Sequence, residues 1–422
     1  MDGIALSALP FPPTPLRMKA ISTLLLSGFV ILHANAQECG TGRYTNYALF
    51  PNVTMTGAVV YGSNTGTGGG AQTLRMDVNE PTGDTLSARP VILVGFGGSF
   101  ISGTRADVAD LCEIFARLGY VAIAPDYRVG FFWPTEESTT KAVMRGAHDF
   151  RGCIRYLRKT VAEDGNPYKI DPDRIIAGGV SAGAIAALHA AYLDQQSEIP
   201  QVLWPDSAFL GNIEGNSGSP GYSSDVLAVY SFSGAIGDTT WIQPGDQPLA
   251  SVHEDGDIVV PCWTQEVNVI GIPTGLVASG SGHIHQRMDH IGVENCFLLY
   301  GSGGHVGYLN SDPVYSVDHV AQFCAKVVCD QPAGCAPLVA SLPEVPERSE
   351  IQVYPNPTTG HVSVLIDTPA TIEVADISGR IVLVPQMFAG RNTADLGTLP
   401  EGLYLLRTAN GALRTARVVK MQ

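Results

Sequence analysis

Ile175-Ile176-Ala177-Gly178-Gly179-Val180-Ser181-Ala182-Gly183-Ala184-Ile185-Ala186-Ala187-Leu188-His189-Ala190-Ala191 is the stretch on which the fold of this chain turns. It begins as a continuous apolar run closed by two glycines, the pattern of a strand buried on both faces. It ends in a segment dominated by alanine, which favours helix. Between the two stands Ser181, with a glycine two positions to either side. A serine at a strand-to-helix elbow needs small residues there, because the tight turn presses the backbone against neighbouring elements. The helix start behind Ser181 also favours negative charge developing beside it. Ser181 is the candidate nucleophile.

Outward from the elbow the same alternation recurs. Val91 to Val94, Val121 to Ala124, Leu227 to Phe232, Leu249 to Val252 and Phe297 to Tyr300 are further strand-like apolar runs. Between two of them Val143, Ala147, Phe150, Ile154, Leu157 and Val161 recur at spacings of 4, 3, 4, 3 and 4, one face of an amphipathic helix. Apolar strands separated by such helices predict an α/β fold, a mostly parallel sheet flanked by helices. Upstream of the elbow, Val91 to Phe100 ends a strand in the turn Phe96-Gly97-Gly98-Ser99. Adjacent glycines let backbone N–H groups face a cleft unobstructed, as an oxyanion hole requires.

The chain has 422 residues, 45% of them hydrophobic, enough for one large core and a second small domain. A net charge of -15 with no Lys/Arg cluster argues against nucleic acid or an anionic membrane as partner. Met18-Lys19, the apolar run Ile21 to Leu32 and Ala34-Asn35-Ala36 have the anatomy of a secretory signal peptide. Residues 1–36 are therefore expected to be leader and signal, with the mature chain starting at Gln37. No later run reaches eighteen uninterrupted apolar residues, so no transmembrane segment is expected. Eight cysteines in an exported chain can pair as disulfides, in a pattern that the sequence does not fix. Cys112 and Cys153 fall in predicted helices and read as buried thiols. No Cys-x-x-Cys pair or His-rich spacing suggests a metal site.

Residues 336–350 are rich in proline, serine and charge and read as a linker. Beyond them the texture changes. Stretches such as His361 to Ile366, Thr371 to Val374 and Gly402 to Arg407 alternate apolar and polar residues between turn signals, which predicts a small antiparallel β-sandwich over 351–422.

Residues from about 74 to 310 resemble the carboxylesterase and feruloyl/acetyl-xylan esterase group of α/β-hydrolases. Phe96-Gly97-Gly98-Ser99 stands where that group usually has His-Gly-Gly-Gly. Gly119 to Arg128 resembles its strand with Asp-Tyr-Arg, and Ile170-Asp171-Pro172-Asp173-Arg174-Ile175 its approach to the elbow. The resemblance implies an α/β-hydrolase domain over 37–335. Phe96 replaces the usual His and Ser99 the third Gly. Since backbone donors make the hole, the N–H groups of Gly98, Ser99 and Ala182 are its expected members.

The remaining triad members follow in the order acid, then histidine. His253-Glu254-Asp255-Gly256-Asp257-Ile258-Val259-Val260-Pro261 resembles the family's acid loop, whose spacing selects Asp257 over Asp255 and Glu254. Gly301 to Gly307 follows the last strand and presents His305. His283, His285 and His290 compete with it but lie at helical spacing. The resemblance then implies that His305 takes the proton from Ser181 while Asp257 orients the imidazole. Phe131, Phe132, Trp133 and Trp241 fall in loops after strands, where aromatic faces can stack on a sugar or aryl acyl group.

Tyr354-Pro355-Asn356-Pro357-Thr358-Thr359-Gly360, Asp376-Ile377-Ser378-Gly379-Arg380 and Leu399-Pro400-Glu401-Gly402-Leu403-Tyr404 resemble a type IX secretion sorting domain. That resemblance implies passage through the periplasm and across the outer membrane to the cell surface or beyond, with the type IX machinery as partner. Taken together, a secreted serine esterase without cofactor is expected, acting on a small-molecule or glycan-borne ester. The rival readings are a serine peptidase on the same fold and a non-catalytic hydrolase-like adhesion protein.

Overall fold

A computed structural model describes residues 38–206, 212–301, 304–335, 352–366, 369–376, 380–408 and 415–421. The expected signal peptide and linker lie outside these residues. The chain divides into two compact units, Met1–Ala340 and Ser341–Gln422.

The first unit is built on β1 (Val53–Thr65), β2 (Ala71–Pro81), β3 (Arg89–Gly95), β4 (Val121–Pro125), β5 (Ile170–Val180), β6 (Ala228–Phe232), β7 (Ala235–Ile236), β8 (Leu249–Glu254), β9 (Thr264–Val269), β10 (Ile272–Gly280) and β11 (Asn295–Tyr300). Its helices are α1 (Ala109–Arg117), α2 (Glu136–Glu163), α3 (Ala182–Tyr192), α4 (Ser281–Ile291), α5 (Tyr308–Ser311) and α6 (Pro313–Val328). Eight strands form one sheet in the order β1-β2-β4-β3-β5-β6-β8-β11. From β4 to β11 every pairing is parallel, while β1 and β2 add an antiparallel edge.

The apolar runs read from the sequence are the parallel strands, and their composition explains their place. Every residue of β3, β4 and β6 is buried, because helices cover both faces of the sheet. On α2, Val143, Ala147, Phe150, Ile154 and Leu157 are buried in one core with Val91 to Val94 and Val121 to Ala124. Thr135 caps that helix, its hydroxyl accepting the Ser138 N–H at 3.2 Å.

Cys39 pairs with Cys329 and Cys296 with Cys335, while Cys112, Cys153, Cys262 and Cys324 are free and buried. The first bridge closes a separation of 290 residues, so it staples the start of the described chain to the end of α6. Among the described residues, Cys296, His319 and Cys335 lie near enough to one another to hold a metal ion, but the two sulfurs are bonded to each other.

The second unit contains β12 (Gln352–Tyr354), β13 (His361–Ile366), β14 (Ala370–Ala375), β15 (Ile381–Leu383), β16 (Gln386–Met387), β17 (Gly390–Asp395), β18 (Gly402–Thr408) and β19 (Thr415–Lys420). All its ladders are antiparallel, one sheet running β12-β13-β17 and the other β15-β14-β18-β19. Val362, Val364, Ile366, Ile372, Val374 and Leu406 turn inward at every second position and share one core. No helix among the described residues is long and apolar enough to cross a membrane.

Candidate active site

Ser181 stands between the end of β5 and the start of α3. Its φ of +54° and ψ of -119° put it in a strained conformation for a residue with a side chain. Two backbone bonds hold it there: its N–H donates to the Phe232 carbonyl at 2.8 Å, and its carbonyl accepts the Ile185 N–H at 2.9 Å. The glycines flanking the elbow are required by contact. A Cβ on Gly179 would sit 2.5 Å from the Gly95 carbonyl oxygen, and one on Gly183 would sit 2.3 Å from that same atom. The elbow is therefore packed backbone to backbone against the end of β3.

The structure brings Ser181, His305 and Asp257 into one hydrogen-bonded chain. His305 Nε2 lies 2.9 Å from Ser181 Oγ, and His305 Nδ1 lies 2.7 Å from Asp257 Oδ2. Asp257 Oδ1 also accepts the N–H groups of Val259 at 2.8 Å and Val260 at 3.0 Å. Burial of Asp257 acts to raise its pKa. Hydrogen bonds from His253 and His305, the His305 charge and the Val259 N–H outweigh that effect and hold the carboxyl well below its ordinary range. An ionised Asp257 draws the ring hydrogen of His305 to Nδ1, which leaves Nε2 free to accept from the Ser181 hydroxyl. That arrangement can move a proton from serine to imidazole.

Asp255 and Glu254 have other partners. Asp255 Oδ1 accepts the Trp263 indole N–H at 2.7 Å, and Glu254 Oε2 accepts the Gly307 N–H at 3.2 Å. His283, His285 and His290 all lie on α4.

Phe96 is buried, and its ring stacks on Tyr127 with centroids 4.2 Å apart. The Tyr127 hydroxyl donates to the Phe96 carbonyl at 2.6 Å, so the residue in the place of the family's His pins this loop to the core. Ser99 and Phe100 are held at φ of +54° and +57°, a concentration of backbone strain beside Ser181. Ala182 is the first residue of α3, where an N–H has no acceptor within the helix. Among the described residues, the N–H groups of Gly98, Ser99 and Ala182 donate to no other group.

Ser99, Ser181 and Ala182 open onto an apolar cleft of about 80 Å³. Val143, Met144, Ile185, Trp241, Val267 and Leu276 line it. Of the four aromatics proposed from sequence, Trp241 alone lines this cleft. Phe132 and Trp133 are exposed and Phe131 packs against the core, so the run 131–133 does not line the cleft next to Ser181.

Sequence reasoning missed the wall made by β9 and β10. These strands form a hairpin whose two-residue turn, Ile270-Gly271, takes φ of +52° and +75°. That is the geometry of a type I′ turn, but Ile-Gly lacks the usual Asn-Gly or Asp-Gly signature. Tyr127 and Glu254 lie in segments singled out from the sequence, the Asp-Tyr-Arg run and the acid loop, but were given no part in the site. Their partners there, the Phe96 carbonyl and the Gly307 N–H, are backbone groups that no side-chain pattern marks.

Residues 76–237 match the BD-FAE family model, and residues 352–421 match the model of the secretion system C-terminal sorting domain. The first match takes in Ser181 and the Phe96 loop and stops before Asp257 and His305. No curated protein matches the chain. Among solved structures, Thermogutta terrifontis esterase 2 phosphoramylated by tabun is similar over 66% of this chain and 96% of that one, at 20% identity and a TM-score of 0.47. The same esterase phosphorylated by paraoxon gives 65% and 93%, at 20% identity and 0.45. The native form of this thermophilic Planctomycetes esterase gives 61% and 85%, at 21% identity and 0.41. The chain carries a domain that matches the BD-FAE model on a mostly parallel α/β-hydrolase-type sheet, and a type IX sorting domain. That tail marks a protein exported by the type IX machinery to the cell surface or outside the cell.

Proposed function

We propose that this protein is an exported serine esterase that works through an acyl-enzyme on Ser181. The observation that carries the reading is the chain Ser181–His305–Asp257, with links of 2.9 and 2.7 Å at a strained strand-to-helix elbow. Ser181 Oγ attacks the ester carbonyl while His305 Nε2 takes its proton, and Asp257 holds the imidazolium that forms. The N–H groups of Ala182, Ser99 and Gly98 stabilise the tetrahedral oxyanion. Its collapse expels the alcohol, which takes the proton from His305. Water then attacks the acyl carbon while His305 takes its proton, and the second tetrahedral intermediate collapses with that proton returned to Ser181 Oγ, which releases the acid and restores the serine.

The cleft beside Ser181 is lined by aliphatic side chains and Trp241, which suits the acyl half of the ester. The alcohol half is then left toward solvent, consistent with an extracellular, glycan-borne or small-molecule ester. In this reading 37–335 form the catalytic domain, 336–350 a linker and 351–422 the address.

The test is Ser181→Ala, which removes only the hydroxyl. Hydrolysis of p-nitrophenyl acetate and labelling by a fluorophosphonate probe are both expected to vanish while the melting temperature stays near that of wild type. Labelling of a different serine overturns the assignment.

A further inference from the structure

His305 is delivered by a loop containing Gly304 and Gly307, and glycine-rich backbone is costly to hold in one conformation. Strand β8 fastens this loop at two points. The Tyr308 hydroxyl donates to the Val252 carbonyl at 3.0 Å, and it lies 3.0 Å from Ser233 Oγ. Two residues further along β8, Glu254 is 3% exposed and turns its carboxylate under the loop. Its Oε2 accepts the Gly307 N–H at 3.2 Å. A Cβ built on Gly304 would lie 2.6 Å from Glu254 Oε1, and one on Gly307 would lie 2.9 Å from it. The carboxylate and the two glycines fit only as a set.

We infer that Glu254 is a positioning residue whose buried carboxylate clamps the backbone of the His305 loop, keeping His305 Nε2 within hydrogen-bonding reach of Ser181. The inference rests on the esterase reading. Asp257 fixes the ring of His305 through one atom, but it does not fix where the loop carries that ring. A displacement of 1 Å in catalytic geometry costs about 100-fold in rate, so a loop that holds both distances needs its own anchor. A carboxylate suits that task because it forms a charge-assisted bond with a backbone N–H. Glu254 acts through the loop and touches no reacting atom.

The experiment compares full-length Glu254→Ala, Glu254→Gln, Gly307→Ala and the double variant Glu254→Ala/Gly307→Ala. Two readouts are needed: amide exchange of the peptide spanning Gly307 and Tyr308, and kcat and KM on p-nitrophenyl acetate per site titrated with fluorophosphonate. Glu254→Ala is expected to speed exchange and lower kcat by about 10- to 100-fold with KM within about three-fold. Glu254→Gln keeps an oxygen acceptor for the Gly307 N–H and is expected to retain kcat within about three-fold.

Gly307 has φ -62° and ψ -28°, which alanine adopts freely, so any cost of Gly307→Ala comes from the carboxylate. That single variant is expected to lose kcat, yet to add little in the Glu254→Ala background. Unchanged exchange in Glu254→Ala overturns the clamp, as does a full Gly307→Ala cost in both backgrounds. Should Glu254→Ala fail to fold, exchange and kcat in Gly307→Ala and Glu254→Gln decide the matter alone. A wild-type protein with neither turnover nor Ser181 labelling removes the esterase reading, and exchange still decides whether Glu254 holds the loop.

Discussion

Three acids crowd the end of β8, and their surroundings give each a different task. Asp257 collects two backbone N–H groups on one oxygen and His305 on the other, with His253 Nε2 3.4 Å from that same oxygen. So many donors make sense only around an ionised carboxylate. Asp255 lies outside this network, bound to the Trp263 indole. Asp257→Asn would let the imidazole take the wrong tautomer, and a fall in turnover of about 10³- to 10⁴-fold is expected. Asp255→Asn keeps an oxygen acceptor for the Trp263 indole N–H at an exposed position, so it should cost at most about 1 kcal/mol of stability, with a much smaller kinetic effect. Turnover and melting temperature measured side by side separate the two. A dead Asp255→Asn beside a near-fully active Asp257→Asn reverses the roles.

At the scale of elements, the β9–β10 hairpin decides what the cleft can hold. Strand β10 pairs with β7 at Ser279–Ile236 and Gly280–Ala235, which ties the hairpin to the core beside the elbow helix. Val267, Val269, Leu276 and Ala278 of the hairpin then line the cleft onto which Ser181 opens. Each buried methylene is worth about 0.8 kcal/mol, or roughly four-fold in kcat/KM where the pocket accepts it. Activity on p-nitrophenyl esters is therefore expected to rise from acetate to longer acyl chains until the cleft is full. Leu276→Trp should shorten the preferred chain and leave acetate nearly unchanged. A chain-length profile identical to wild type would separate the hairpin from acyl recognition. The sheet itself was legible, because continuous apolar strands and the 3.6-residue stripe on α2 are local patterns. Strand β2, between β1 and β4, carries a similar alternation, with Leu74, Met76 and Val78 buried, that the sequence reading did not pick out. The hairpin was not legible, since its outward residues include Val277 and Ile270 and blur the two-residue period. Nor was the role of Glu254, since the Gly307 N–H that it accepts lies 53 residues away in sequence.

For the molecule as a whole, buried histidines set a limit on the acid side. His148, His189 and His285 are each nearly inaccessible, at 2%, 6% and 3% exposure. Burial pushes His189 and His285 down to about 4, and burial together with Arg151, Arg128 and Arg155 pushes His148 down to about 3. In the unfolded chain all three titrate near 6.5, so below that pH the unfolded state binds protons that the folded state refuses. Their stabilisation is complete above about 6.5 and is lost progressively as pH falls toward 4. One proton per histidine corresponds to about 1.4 kcal/mol per pH unit, so three together reach the order of a small domain's whole stability within two units. Glu38, Glu198 and Asp246 act in the opposite sense, burial having raised their pKa values, but they are only partly buried and their shifts are smaller. The melting temperature of the full chain is therefore expected to fall steadily between pH 6.5 and 4.5. His285→Gln, which can keep a hydrogen bond to Asn295 in place of the 2.7 Å bond from the ring, should make that decline shallower. A wild-type melting temperature that stays level across this window would mean that the three rings gain protons without unfolding, and the argument from burial would fail.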